Sequence, residues 1–184
     1  MIMSCVMMNS ILELRIDSIK LCTEVILDCE RQDLGQQGGS LSLISLRTMG
    51  PGISKTYLID VISLTNDALR SIFDIIQSSS PVKIMFDGRM DYSELFHGYN
   101  TPIRNVFDLQ LADICSRPQR GEGLYNQLRR LSPYLNRWEI TRQRDSYMQV
   151  QKIPGLQQCL REHNVYSGGL TTKGHHLVYQ QESL

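Results

Sequence analysis

The order of hydrophobic runs constrains this chain more than any single residue does: three strand-like segments come first, and only then do helical and strand-like periods alternate. From Glu24 to Asp28 the run Glu-Val-Ile-Leu-Asp is short, apolar and β-branched, the pattern of a strand buried on both faces. Gly35, Gly38 and Gly39 then break the chain. A second strand is expected over Leu41 to Arg47 and a third over Thr56 to Val61, after the turn signal Pro51-Gly52. These three can close into a meander. Asn66 or Asp67 offers a cap for a helix whose apolar positions Leu69, Ile72, Phe73 and Ile76 recur at helical spacing, and Ser78-Ser79-Ser80-Pro81 ends it. A fourth strand is expected over Val82 to Phe86, a helix over Asp91 to Tyr99, a short strand over Asn105 to Asp108 and a helix over Leu109 to Cys115. This order predicts an α/β fold, a mixed five-stranded sheet flanked by helices.

Beyond Ser116 the chain is richer in Arg and Gln, with helices expected over Leu124 to Leu131 and Leu156 to Glu162. Residues 167–184 carry Gly168, Gly169 and Gly174 without a clear period, and are expected to be a loop or irregular tail after a single domain spanning 1–166. A chain of 184 residues with 41% hydrophobic content can bury one sizeable core and is short for two. Lys+Arg and Asp+Glu both number 19, so no global field draws in a polyanion and any nucleic-acid site must be local. The five cysteines, Cys5, Cys22, Cys29, Cys115 and Cys159, are odd in number and lack close pairs. That argues against a disulfide framework or zinc knuckle and for reduced thiols in an intracellular compartment, nucleus or cytoplasm. The apolar start has no basic flank and meets Asn9, Ser10 and Glu13 before a membrane-spanning length is reached; Ile11, Leu12, Leu14 and Ile16 fit a short helix instead.

Three segments carry chemistry. Asp28-Cys29-Glu30 closes the first strand, where residues two apart face the same side, so both carboxylates can point at one spot and offer hard oxygen ligands to Mg²⁺ or Mn²⁺. The same triplet is also compatible with a solvated turn. Lys83 to Asp91 runs from a strand through a polar turn into a helix, in which Asp91 is either a functional carboxylate or an N-cap with Arg89 as its surface ion pair. Asp108 is expected to cap the helix that starts at Leu109.

Taken in order, Asp28-Cys-Glu30, Lys83 to Asp91 and Asp108-Leu-Gln110 resemble the RNase D-like branch of the DnaQ-like (DEDD) 3'-5' exonucleases. Asp33-Leu-Gly35, Gly39 to Ser45 and Tyr57-Leu-Ile-Asp60-Val fit between them, and the likeness extends to fungal 3'-5' exonuclease-domain proteins. The resemblance implies an RNase H-like fold and hydrolysis of a single-stranded RNA or DNA 3' end by two Mg²⁺ or Mn²⁺ ions roughly 3.5–4 Å apart. Asp28 would bridge both ions, Glu30 would hold the one that activates water, and Asp91 would support the other.

The family's last motif, a Tyr or His followed four or five residues later by an Asp, has no counterpart. Tyr147 lacks an acid at that distance, Tyr179 and Glu182 are three apart, and His175 and His176 precede Gln180 and Gln181. On the resemblance, both ends look clipped and the C-terminal part incomplete. The site would then hold two ions, one or none, with Glu162 or Glu182 left to fill the vacancy. The alternative is an inactive module that binds RNA or a protein partner. Arg89, Arg129 and Arg130, with Tyr125, Tyr134 and Trp138 nearby in sequence, are the candidate nucleic-acid contacts. An arginine-rich solvated face whose aromatics fill the core is the competing reading.

Overall fold

The computed structural model describes residues 3–5, 16–31, 33–34, 41–49 and 54–165. Its first part runs β1 (Met3–Cys5), β2 (Glu24–Glu30), β3 (Leu43–Met49), β4 (Thr56–Asp60), α1 (Asn66–Gln77), β5 (Val82–Met85), α2 (Arg89–Tyr99), β6 (Val106–Asp108) and α3 (Leu109–Ser116). The strands lie side by side in the order β1-β4-β3-β2-β5-β6. β2, β3 and β4 form the expected antiparallel meander, and β5 and β6 add parallel strands beyond β2. All five expected strands are present, and β1 adds a short parallel strand beside β4. β3 begins two residues later than expected, a shift that keeps every side chain on its intended face because the strand period is two.

One face of the sheet is closed. Val25, Leu27 and Cys29 of β2, Ile44 and Leu46 of β3, Tyr57 and Ile59 of β4 and Met85 of β5 are buried with Leu69, Ile72, Ile75 and Ile76 of α1 and Leu95 of α2. Ile16 and Ile19, from the helical residues 16–20, complete that layer. α1 forms because its apolar positions share one stripe and Thr65, one residue before the expected cap, accepts a hydrogen bond from the Ala68 N–H.

The other face is half open. Ile26, Ser45, Leu58 and Ile84 are only partly buried, and Asp28 and Glu30 are exposed. β2 is therefore not buried on both faces, as its apolar run implied. The helices that pack on it cluster on one side, and the alternating side chains divide between a dry face and a solvated one.

The C-terminal part consists of α4 (Leu124–Leu131), α5 (Arg137–Arg142), α6 (Arg144–Tyr147) and α7 (Leu156–Glu162). α4 and α7 coincide with the expected helices, whereas α5 and α6 are too short to give a readable period. Polar contacts hold this part to α3. Gln110 Nε2 donates to the Pro154 carbonyl at 2.8 Å, and Arg117 Nη1 to that of Lys152 at 2.9 Å. The expected tail 167–184 and Ile11, Leu12 and Leu14 lie outside the described residues. Among the described residues, no helix is long and apolar enough to cross a membrane.

Candidate active site

β2 presents Asp28 and Glu30 on the open face, opposite Ser45 and Leu43 of β3. Between them Cys29 turns into the core, and its backbone N–H donates to Asp91 Oδ1 at 2.8 Å. Asp91 thus reaches back from the first turn of α2 to the end of β2, and its side chain is buried. It is not the helix cap, since Gly88 occupies that position without a side-chain hydrogen bond. Nor does Arg89 pair with it: Arg89 lies 2.5 Å from Asp87 Oδ1 and 3.0 Å from Oδ2. Asp87 itself adopts a left-handed conformation with φ of 58°, which an aspartate tolerates better than most residues.

The three acids feel one another. Partial enclosure raises the pKa of Asp28, partly offset by the Cys29 N–H and by a hydrogen bond with Glu30. Glu30 is raised by enclosure first and then by the negative charges of Asp28 and Asp91. Burial raises Asp91 as well, against the hydrogen bonds it accepts, with Asp28 adding to the rise. Among the described residues, no ion pair reaches any of the three. Like charges gathered without a counter-cation lower their energy by taking up protons or a cation, and an all-oxygen donor set suits Mg²⁺ or Mn²⁺.

Two supports were not legible beforehand. Arg31, next to Glu30, makes a short ion pair with Glu94, one turn beyond Asp91, and both side chains are almost fully buried. Asp108 caps α3 as expected, accepting from Gln110 N at 2.8 Å and Leu111 N at 3.3 Å. It also accepts from the Gly88 N–H at 3.2 Å and so ties the start of α2 to the end of β6. Lys83 is not in the site: it is fully buried and donates to the Ser78 carbonyl, and burial pushes its pKa down to about 8.

A second acidic centre, Asp113 with Cys159 and His163, brings three possible metal donors together. Its electrostatics are opposite. Asp113 Oδ2 accepts from Arg117 Nη2 at 2.9 Å, and Oδ1 from Arg120 Nη2 at 2.7 Å with His163 Nε2 at 3.0 Å. Burial works to raise the Asp113 pKa, but these partners overcome it and hold the carboxyl below its ordinary value. With both oxygens already facing guanidinium groups, this carboxylate has little left to offer a metal ion.

Of the candidate nucleic-acid contacts, Arg89 and Arg129 are exposed. Arg130 is instead held between Glu122, at 2.7 Å, and Glu162, also at 2.7 Å. Tyr125, Tyr134 and Trp138 do not fill the core, being 76%, 69% and 65% exposed. Arg142 lies 5.0 Å over the Trp138 ring and Lys152 5.1 Å over Tyr134.

Comparison with known proteins places the chain in a family. A family model described as 3'-5' exonuclease matches residues 4–159. The chain belongs to that 3'-5' exonuclease family. Its fold is that of the RNase D-like branch. Escherichia coli RNase D shares 19% identity over 86% of this chain and 40% of its own, with a TM-score of 0.53. Trypanosoma brucei RNase D in complex with RNA U12 shares 19% over 82% and 54%, with a TM-score of 0.51. The catalytic core of Trypanosoma brucei RRP6 shares 17% over 67% and 36%, also at 0.51. The exonuclease-family chain thus spans roughly half the length of these solved relatives or less. No curated protein sequence matches it.

Proposed function

We propose that this chain trims single-stranded RNA or DNA from the 3' end with the help of divalent cations held by Asp28, Glu30 and Asp91. The observation that carries this reading is that Asp28 and Glu30 share the open side at the end of β2 while Asp91 is bonded to the same strand end through the Cys29 N–H, with no ion pair to any of the three among the described residues. Their carboxylates are not drawn together as tightly as the donors around Asp113, so a cation would have to gather them. Bound Mg²⁺ or Mn²⁺ would supply hydroxide at neutral pH and neutralise the charge developing on the phosphate. Asp28 lies within the influence of both Glu30 and Asp91, which suits it to be the shared ligand. Glu30, exposed at the strand end, is accessible to an incoming phosphate, and Asp91 anchors the site from α2. Arg129, exposed and without an ion pair among the described residues, is the arginine best placed to meet a backbone phosphate, whereas Arg89 would have to leave Asp87 and Arg130 its two glutamates. RNA is favoured as substrate because a solved relative is an RNase D bound to RNA U12.

The sequence lacks the Tyr or His and the fourth acid that would complete the family's motif, and Glu162, engaged by Arg130, does not stand free to replace it. Poor positioning of water and of a second ion should make hydrolysis slow. This deficit also favours the alternative reading, an exonuclease-like module that binds RNA or a protein without cutting. A 3'-labelled single-stranded RNA incubated with Mn²⁺ separates the two. Trimming slightly above background that disappears in Asp28→Ala supports the enzyme, whereas binding with no trimming supports the module. Vigorous digestion unaffected by Asp28→Ala removes these carboxylates from the chemistry altogether.

A further inference from the structure

The ion pair between Arg31 and Glu94 joins the two elements that carry the proposed ligands. Arg31 follows Glu30 at the end of β2, and Glu94 lies one turn beyond Asp91 on α2. Their side chains are 1% and 4% exposed, and Arg31 Nη1 donates to Glu94 Oε2. The Glu94 carboxylate passes over Gly98, where a Cβ would lie 3.3 Å from its Oε1. The strand end is therefore tied to α2 at two points, through the Cys29 N–H to Asp91 just before Glu30 and through Arg31 to Glu94 just after it. Glu30 sits between the tethers.

A buried ion pair is a poor source of net stability, because desolvating both charges cancels most of their attraction and an apolar pair of similar volume often serves as well. What a planar, rigid guanidinium bonded to a carboxylate does supply is fixed orientation. We propose that Arg31 and Glu94 are positioning residues that fix the strand end carrying Glu30 relative to the helix turn carrying Asp91, so that both can serve one divalent cation. The same pairing keeps Glu94, the carboxylate next along α2, from competing as a ligand. This inference rests on the reading of Asp28, Glu30 and Asp91 as the cation site.

The test uses the full chain and Mn²⁺ alone. Replacing both partners, Arg31→Met with Glu94→Leu, should leave the melting temperature unchanged or raised. It should weaken Mn²⁺ binding in calorimetry on the order of 10–100-fold, the usual effect of losing support behind a ligand. Any 3'-trimming rate should fall with it while the KM for RNA stays constant. A role in stability alone predicts the reverse, with the apolar pair restoring both folding and Mn²⁺ affinity. Should the double variant fail to fold, Arg31→Lys decides: it keeps the charge and loses the fork, so weaker Mn²⁺ binding at unchanged melting temperature supports positioning, and unchanged binding overturns it. An Asp28→Ala, Glu30→Ala control separates the two readings. Mn²⁺ affinity that survives the control, or none in the unaltered chain, overturns the cation site and this inference with it. Affinity lost in the control but intact in Arg31→Met with Glu94→Leu overturns the positioning role alone.

Discussion

The acids at the end of β2, two exposed and one buried, and the wholly buried Asp113 all lose some solvation, yet their surroundings treat them in opposite ways. Asp28, Glu30 and Asp91 have one another and backbone N–H groups for company, and all three have raised pKa values. Asp113 has Arg117, Arg120 and His163, and its pKa is lowered although its side chain is wholly buried. Burial alone therefore does not mark a functional acid. An uncompensated cluster stores repulsion that a cation can relieve, while a compensated one is already part of the scaffold, here fastening α3 to α7 and the segment before it.

The contrast makes graded predictions. The largest effect is expected at the compensated centre. Asp113→Ala leaves the Arg117 guanidinium, 4% exposed, without its main partner, and should cost about 3–5 kcal/mol in denaturant unfolding. A loss near zero would mean that Arg117 relaxes onto Gln151 and Lys152 and that the pair is incidental.

Next comes cation binding. Mn²⁺ at a hundred times its dissociation constant should stabilise the chain by about 2.7 kcal/mol. That gain should vanish in Asp28→Ala with Glu30→Ala and persist in Cys159→Ser; the opposite pattern in melting curves would move the cation to Asp113. A smaller effect is expected when one repelling charge is removed. Asp28→Asn should stabilise the metal-free chain by up to about 1 kcal/mol by removing a charge that repels Glu30 and Asp91. Destabilisation instead would show that Asp28 is needed as an acceptor.

The smallest effect is the pH dependence. For Asp28, Glu30 and Asp91 the folded chain holds protons more tightly than the unfolded one. Their contribution is favourable below the raised values and is lost as pH rises through them. For Asp113 and Glu162, both lowered, the contribution is present above the ordinary carboxylate range and is lost as pH falls through the lowered values. The benefit of Asp28→Asn should therefore grow as pH rises out of the carboxylate range, while the damage from Asp113→Asn should shrink as pH falls. Parallel pH profiles for the two variants would erase the distinction.

The strands were legible in the sequence because each is a short apolar run bounded by turn residues, and α1 because Leu69, Ile72 and Ile76 mark one stripe. The period of two put Asp28 and Glu30 on one side without further help. Sequence alone could not say which side would stay open. Ile26 and Val25 are equally apolar, and only the gathering of α1, α2 and residues 16–20 on one face decided that Val25 is buried and Ile26 half exposed. Nor could spacing tell Asp91 as a cap from Asp91 as a partner of β2, since that depends on how α2 crosses the strand end. Arg31 with Glu94 and Arg130 with Glu162 were likewise invisible, because partners 63 and 32 residues apart meet only through the fold. Local pattern determined which residues form strands and helices and which face each presents. The tertiary structure decided which charges meet a counter-charge and which are left to find one, because Coulomb interactions depend on distance through space and not along the chain.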